Sequence, residues 1–174
     1  LKLLEASDPC SAIGAMEAAG VLNVVLPGAT GRTLYPFVTL EFAADPIARL
    51  AALGCEDADV RLKLSKKQAL KLRLFKSSIG DGRSLDEISN VDGADVALTI
   101  AALRAAIFET HLPADLESQI LFAAQQCFPI EARDLMPNFV GKELGLALKK
   151  LHRAWLQSGF ALTKSELLEK LETK

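Results

Sequence analysis

Apolar residues recur at three- and four-residue intervals along most of the chain, and capping residues cut the pattern into short segments. Asp8 before Pro9 pairs a side chain suited to the N-cap with a residue suited to the first helical turn. The segment that follows carries Ile13 and Met16 and ends before VLNVVLP. Asp45–Pro46 repeats the device ahead of IARLAAL, which Gly54 stops. Ser65-Lys-Lys-Gln68, Ser84-Leu-Asp-Glu87 and Thr163-Lys-Ser-Glu166 have the spacing of capping boxes, in which two side chains satisfy free backbone N–H groups reciprocally. The longest apolar segment, ADVALTIAALRAAIFETH, precedes ADLESQILFAAQQ across Pro113. No run alternates cleanly with the period of a strand; VLNVVL (21–26) comes nearest and is short. The pattern predicts an all-α chain of about eight to ten short helices joined by tight turns, with no significant sheet.

Composition narrows the function classes. The 174 residues are 50% hydrophobic, enough for a core without disulfide or metal staples, and only 6% aromatic, which disfavours a sandwich or barrel. Twenty Lys and Arg stand against 22 Asp and Glu, so any polyanion surface must come from local clustering. Cys10, Cys55 and Cys127 are far apart in apolar settings and read as reduced core thiols of a cytoplasmic protein. No signal-peptide pattern and no apolar run near membrane-spanning length is visible, which predicts no membrane association. The opening LKLLEA, without Met or a capping residue ahead of it, reads as a helix entered in mid-course and hence a piece of a longer chain. GDGRS (80–84) and QCFPIEA (126–132) are the candidate linkers, and no tandem repeat is visible.

Catalytic patterns are weak. Of the two histidines, His111 reads as a helix C-terminal residue that favours the dipole, and neither it nor His152 sits in a nucleophile signature. The acids of EDAD (56–59) and DGRSLDE (81–87) fall in turn and cap contexts, and GATG (28–31) lacks a phosphate-loop lysine. These residues point to no catalytic site and to no metal site.

Two basic clusters remain. RLKLSKKQALKLRLFK (61–76) holds seven Lys and Arg and no acid, but its cations spread around a helix expected to bury Leu70, Leu72 and Phe75. NFVGKELGLALKKLHRAW (138–155) sets Lys142, Lys149, Lys150, His152 and Arg153 against Glu143 alone. Leu144, Leu148, Leu151 and Trp155 fall on one helical stripe suited to a core. Lys142, Lys149 and Arg153 lie within about 40° of each other nearly opposite, with Lys150 beside them. On residues alone, a solvated helix face and a phosphate-holding face are both open.

The order of several motifs resembles the C-terminal region of bacterial tRNA nucleotidyltransferases and poly(A) polymerases of class II. In FPIEARDLMPNFVGKELGLALKKLHRAWLQSGFALTKSELLEKL (128–171), Ala132, Asp134 and Leu135 match a first step, and Gly141, Leu144 and Gly145 match the turn after it. Trp155, Phe160, Thr163, Glu166, Leu167 and Leu168 match the rest. Residues 1–27 resemble the helix pair after the nucleotide-binding portion, and 45–72 resemble the "DP…RLA" and "L-x-L-S" stretches. The chain has Ala132 where the family usually has Gly, and Lys142 where it often has Pro.

This resemblance implies a helical body (1–125) and C-terminal tail helices (126–174), with the catalytic head absent from this chain. It implies a parent enzyme that uses Mg²⁺ and ATP or CTP, whereas this portion would need no cofactor. It implies tRNA or other RNA as partner, held by its phosphates, with Arg133, Lys142, Lys149, Lys150 and Arg153 as first contacts and Lys66, Lys67 and Lys71 as second ones. The rival expectation is a helical protein–protein interaction or dimerisation module without an RNA role; the pattern marks no particular oligomeric state.

Overall fold

The computed structural model describes residues 1–172. A 3-10 turn (Lys2–Glu5) leads into α1 (Cys10–Ala18), α2 (Val21–Val25), α3 (Leu34–Leu40), α4 (Pro46–Ala52), α5 (Ala58–Arg61) and α6 (Lys66–Gly80). Then come α7 (Leu85–Asp92), α8 (Ala94–Phe108), α9 (Leu116–Gln125), α10 (Ala132–Leu135), α11 (Gly141–Gln157) and α12 (Lys164–Glu172). No strand occurs among the described residues, and the protein is all-α. The twelve α-helices exceed the expected number because α2, α5 and α10 are pieces of four or five residues, too short for periodicity to mark. VLNVVL is one of them: Gly20, at φ +72°, resets the chain after α1, and a single helical turn buries Leu22.

The capping chemistry works as the spacing predicts. Asp8 Oδ1 accepts from the Cys10 N–H at 2.8 Å, and Asp45 Oδ1 accepts from those of Ile47 and Ala48 at 2.9 and 3.4 Å. Ser65 and Gln68 bond reciprocally, as do Thr163 and Glu166. At α7 only half the box forms: the Ser84 hydroxyl accepts from the Glu87 N–H at 3.1 Å. No helix among the described residues is long and apolar enough to cross a membrane.

α8 is apolar on nearly every side, so it can be stable only where other helices surround it. Ala97, Leu98, Ile100, Ala101, Ala102 and Leu103 are all buried, with α3, α4, α6, α7 and α9 packed around them. This cluster runs from Leu4 to Ile120. A second, smaller cluster joins Ile130, Leu135, Ala147, Leu151, Trp155, Leu156 and Leu167 from α10, α11 and α12. The two touch where the Phe122 ring meets Phe160 edge-on, with centroids 6.2 Å apart. Asn90 of α7 donates to the carbonyls of Ala123 and Gln126, fixing the end of α9 and the start of the connector.

Two guanidinium networks tie the loops to this frame. Arg49 is 1% exposed; its Nε donates to both Glu41 carboxylate oxygens at 3.1 Å, and Nη2 completes a fork on the same group. Nη1 donates to the carbonyls of Leu4 and Ala6, so the 3-10 turn hangs from α4 through one side chain. In the second network Arg83 reaches Asp81, Asp92 and the Ser78 hydroxyl, while Arg104 donates to the Ser78 and Arg83 carbonyls. Burial pushes the Asp81 carboxyl up, but the bonds from Arg83 and the nearby Arg104 charge outweigh it and hold the group below the ordinary carboxylate range. GDGRS is therefore a pinned corner and not a linker.

Three further expectations change. Leu70 is 70% exposed, because α6 buries Leu72 and Phe75 on its other side. Of the thiols only Cys55 is buried; Cys10 is half-buried, and Cys127 is exposed in the connector after α9. His111 lies beyond α8, which ends at Phe108 with Glu109 in the left-handed region, so it is too far past the last turn to serve its dipole.

Breaking the first network tests its weight. Arg49→Met leaves Glu41 and the carbonyls of Leu4, Ala6 and Ser7 without their donor, and a loss of about 3–5 kcal/mol in unfolding free energy is expected from urea titration. A loss under about 1 kcal/mol would show that water replaces the guanidinium freely.

Candidate nucleic-acid interface

α11 is the longest helix among the described residues, and its two sides differ sharply. Ala147, Leu151, Trp155 and Leu156 are buried, and Leu144 and Leu148 are half-buried against the same cluster. The predicted stripe is thus present and slightly wider than the leucines alone. Trp155 is a core residue: its ring packs against Phe160 at 4.9 Å and Phe128 at 5.5 Å between centroids. His152 belongs with them, 4.9 Å from Phe128 and 5.8 Å from Trp155, which removes it from the basic side.

Lys142, Lys149, Lys150 and Arg153 are all exposed, and no ion pair among the described residues involves any of them. With a rise of about 1.5 Å per residue, Lys142 and Arg153 lie about 16 Å apart along the axis. Lys149, Lys150 and Arg153 line a shallow groove of ≈430 Å³ with Ala154 and Gln157. The helix starts without a side-chain cap: Val140 is extended, and Gly141 takes φ +55° to turn the chain inward. Its first N–H groups therefore have no side-chain acceptor, and Lys142 stands in that first turn. Leu146, 59% exposed among these lysines, is a residue the charge pattern did not single out.

The remaining candidates fare differently. Arg133, on α10, is exposed but already holds Glu131, Nε to Oε2 at 2.8 Å. Lys71 pairs with Asp45 at 2.5 Å and lies over the Phe75 ring, 5.5 Å from its centroid, inside a cleft also lined by Phe42. Lys66 and Lys67 are exposed in the first turn of α6, as Lys142 is in the first turn of α11, and no ion pair among the described residues involves either. That helix packs into the first core cluster and α11 into the second, so the two basic sets belong to different units. Within 61–76, Arg73 takes Asp59 at 3.2 Å, and Lys76 takes the carbonyls of Cys55 and Glu56. Two of the seven cations of this stretch, Lys71 and Arg73, meet acids from earlier in the chain and Lys76 meets carbonyls, which its own composition could not reveal; no ion pair among the described residues involves Arg61, Lys63, Lys66 or Lys67.

Among the described residues no group of three His, Cys, Asp or Glu is placed to hold a metal ion. The acids suspected from spacing have structural partners: Asp59 holds Arg73, and Asp81 holds Arg83. Glu56, Asp57, Asp86 and Glu87 are exceptions, since no ion pair among the described residues reaches them.

One ion pair joins the two helices that pack against α11. Asp134 Oδ1 meets Lys164 Nζ at 2.6 Å and its Oδ2 accepts from the Glu131 N–H at 2.9 Å, joining α10 to the start of α12. The Lys164 bond, then the Glu131 N–H, hold the Asp134 carboxyl below its ordinary range. The chain matches no known protein-family model and no curated protein.

Because the folded-state pKa of Asp134 is depressed, its contribution is complete above the unfolded value, about 3.9, and is lost as pH falls through the folded one. Trp155, the single tryptophan, reports on the tail alone. Its emission is expected to shift red in wild-type protein as pH falls below about 4, and Asp134→Asn is expected to abolish that component. An identical acid titration in the variant would refute the coupling.

Proposed function

We propose that this chain is the RNA-binding helical portion of a tRNA nucleotidyltransferase/poly(A) polymerase-like enzyme. It holds tRNA or another RNA by its phosphates while a catalytic head, outside this chain, adds nucleotides to the 3′ end. Mg²⁺ and ATP or CTP serve that head. The observation that carries the reading is the outer side of α11: Lys142, Lys149, Lys150 and Arg153 stand exposed and unpaired opposite a buried Leu–Trp stripe. The motif order around this helix supports the family assignment.

Lysine and arginine heads at a phosphate backbone release condensed counterions, and this gives affinity without sequence readout. The tail's aromatic rings, Phe128, His152, Trp155 and Phe160, pack against one another, so they offer no platform for stacking unpaired bases. The face suits the backbone and shape of a structured RNA. Four phosphate contacts correspond to a slope of about −3.6 in log affinity against log salt, a loss of about 100-fold between 50 and 200 mM.

A second reading, a helical protein–protein or dimerisation module, is favoured by one observation: Leu146 and Val140 are 59% and 60% exposed beside the lysines. The two readings separate in one experiment. tRNA affinity is measured by fluorescence anisotropy at 50 and 200 mM salt for wild type, Lys149→Glu/Arg153→Glu and Leu146→Glu. The RNA reading expects the salt loss above, at least ten-fold weakening by charge reversal, and little loss beyond charge in Leu146→Glu. Salt-independent binding unaffected by charge reversal, with self-association abolished by Leu146→Glu, favours the protein module instead.

A further inference from the structure

Arg153 has a second set of neighbours. On one side it borders the groove with Lys149 and Lys150; on the other it lines a groove of ≈350 Å³ whose far wall carries Asp86 and Glu87. These acids occupy the first turn of α7, where the helix dipole supports negative charge. Ser84 caps that helix, so neither carboxylate is needed for the cap, and no ion pair among the described residues engages either one. Three unpaired charges, one basic on the tail and two acidic on the body, thus face a common groove.

We propose that Asp86 and Glu87 act as an intramolecular competitor for Arg153, restraining the affinity of the α11 face for phosphate and marking the body-side limit of the bound RNA. This rests on the phosphate-binding reading of α11. The carboxylates offer Arg153 the same bidentate, anionic acceptor chemistry as a phosphate. Screening makes the effect local: the Debye length is about 10 Å at 0.1 M salt, and Lys142 lies about 16 Å from Arg153 along the axis. The acids therefore act through Arg153 and not through the far end of the face.

The test is a double-mutant cycle on tRNA affinity at 0.1 M salt, in the full chain, with circular dichroism confirming the fold of each variant. Asp86→Asn/Glu87→Gln is expected to tighten binding about two- to five-fold, in the range of an exposed charge pair. The gain is expected to vanish in an Arg153→Gln background and to persist in a Lys142→Gln background. Unchanged or weaker binding, or an equal gain without Arg153, would overturn the competitor role. If Lys149→Glu/Arg153→Glu also fails to weaken binding, the phosphate-binding reading falls with it; if that variant weakens binding as expected, only the competitor role is lost.

Discussion

The body of this protein is organised by the need to bury α8 on all sides. A helix with no polar face cannot lie at a surface, so its neighbours must enclose it, and α3, α4, α6, α7 and α9 do so. All but α6 have ten residues or fewer and are too short to be stable alone, so their helicity depends on that packing. The alanines of α8 let them approach closely; the side chains that interlock there, Phe37, Leu50, Leu72, Phe75 and Ile120, come from the surrounding helices. Short elements around a central rod require many turns, and turns carry unsatisfied carbonyls. Arg49 and Arg104 resolve part of that problem by donating to backbone oxygens from fixed, planar forks.

The tail follows a different rule. Its cluster is small and aromatic-rich, and α11 is amphipathic where α8 is not. Hydrophobic burial orients the helix, and the same orientation forces its lysines outward. The charged face is thus a by-product of packing as much as a feature in itself, and its surroundings, not its composition, distinguish it from an ordinary solvated helix. What sets it apart is that its four cations stand together on one helix with no ion pair among the described residues, whereas in residues 61–76 Asp45 and Asp59 pair with Lys71 and Arg73.

Local chemistry explains which parts were legible beforehand. Caps act over two or three residues, so Asp8, Asp45, Ser65, Ser84 and Thr163 could be read directly. The α11 stripe is likewise a property of one helix. Partnerships across the chain are not: the Arg49–Glu41 fork, the Lys71–Asp45 pair and the edge-on contact of His152 with Phe128 depend on tertiary packing. Leu70 was misplaced for the same reason, since three apolar residues on α6 could not all face one side and only packing chose among them. Asp86 and Glu87 looked like ordinary first-turn acids, and only the fold sets them across from Arg153.

The two clusters differ in size, and that has a thermodynamic consequence for the face on α11. A unit held by few buried side chains opens at lower free energy than the frame it adjoins, and its amides exchange through partial unfolding while the body stays intact. A ligand that binds only the closed form of such a unit stabilises it by mass action. A ligand seated on the α11 face would therefore raise the free energy at which the tail opens, acting from outside its small core.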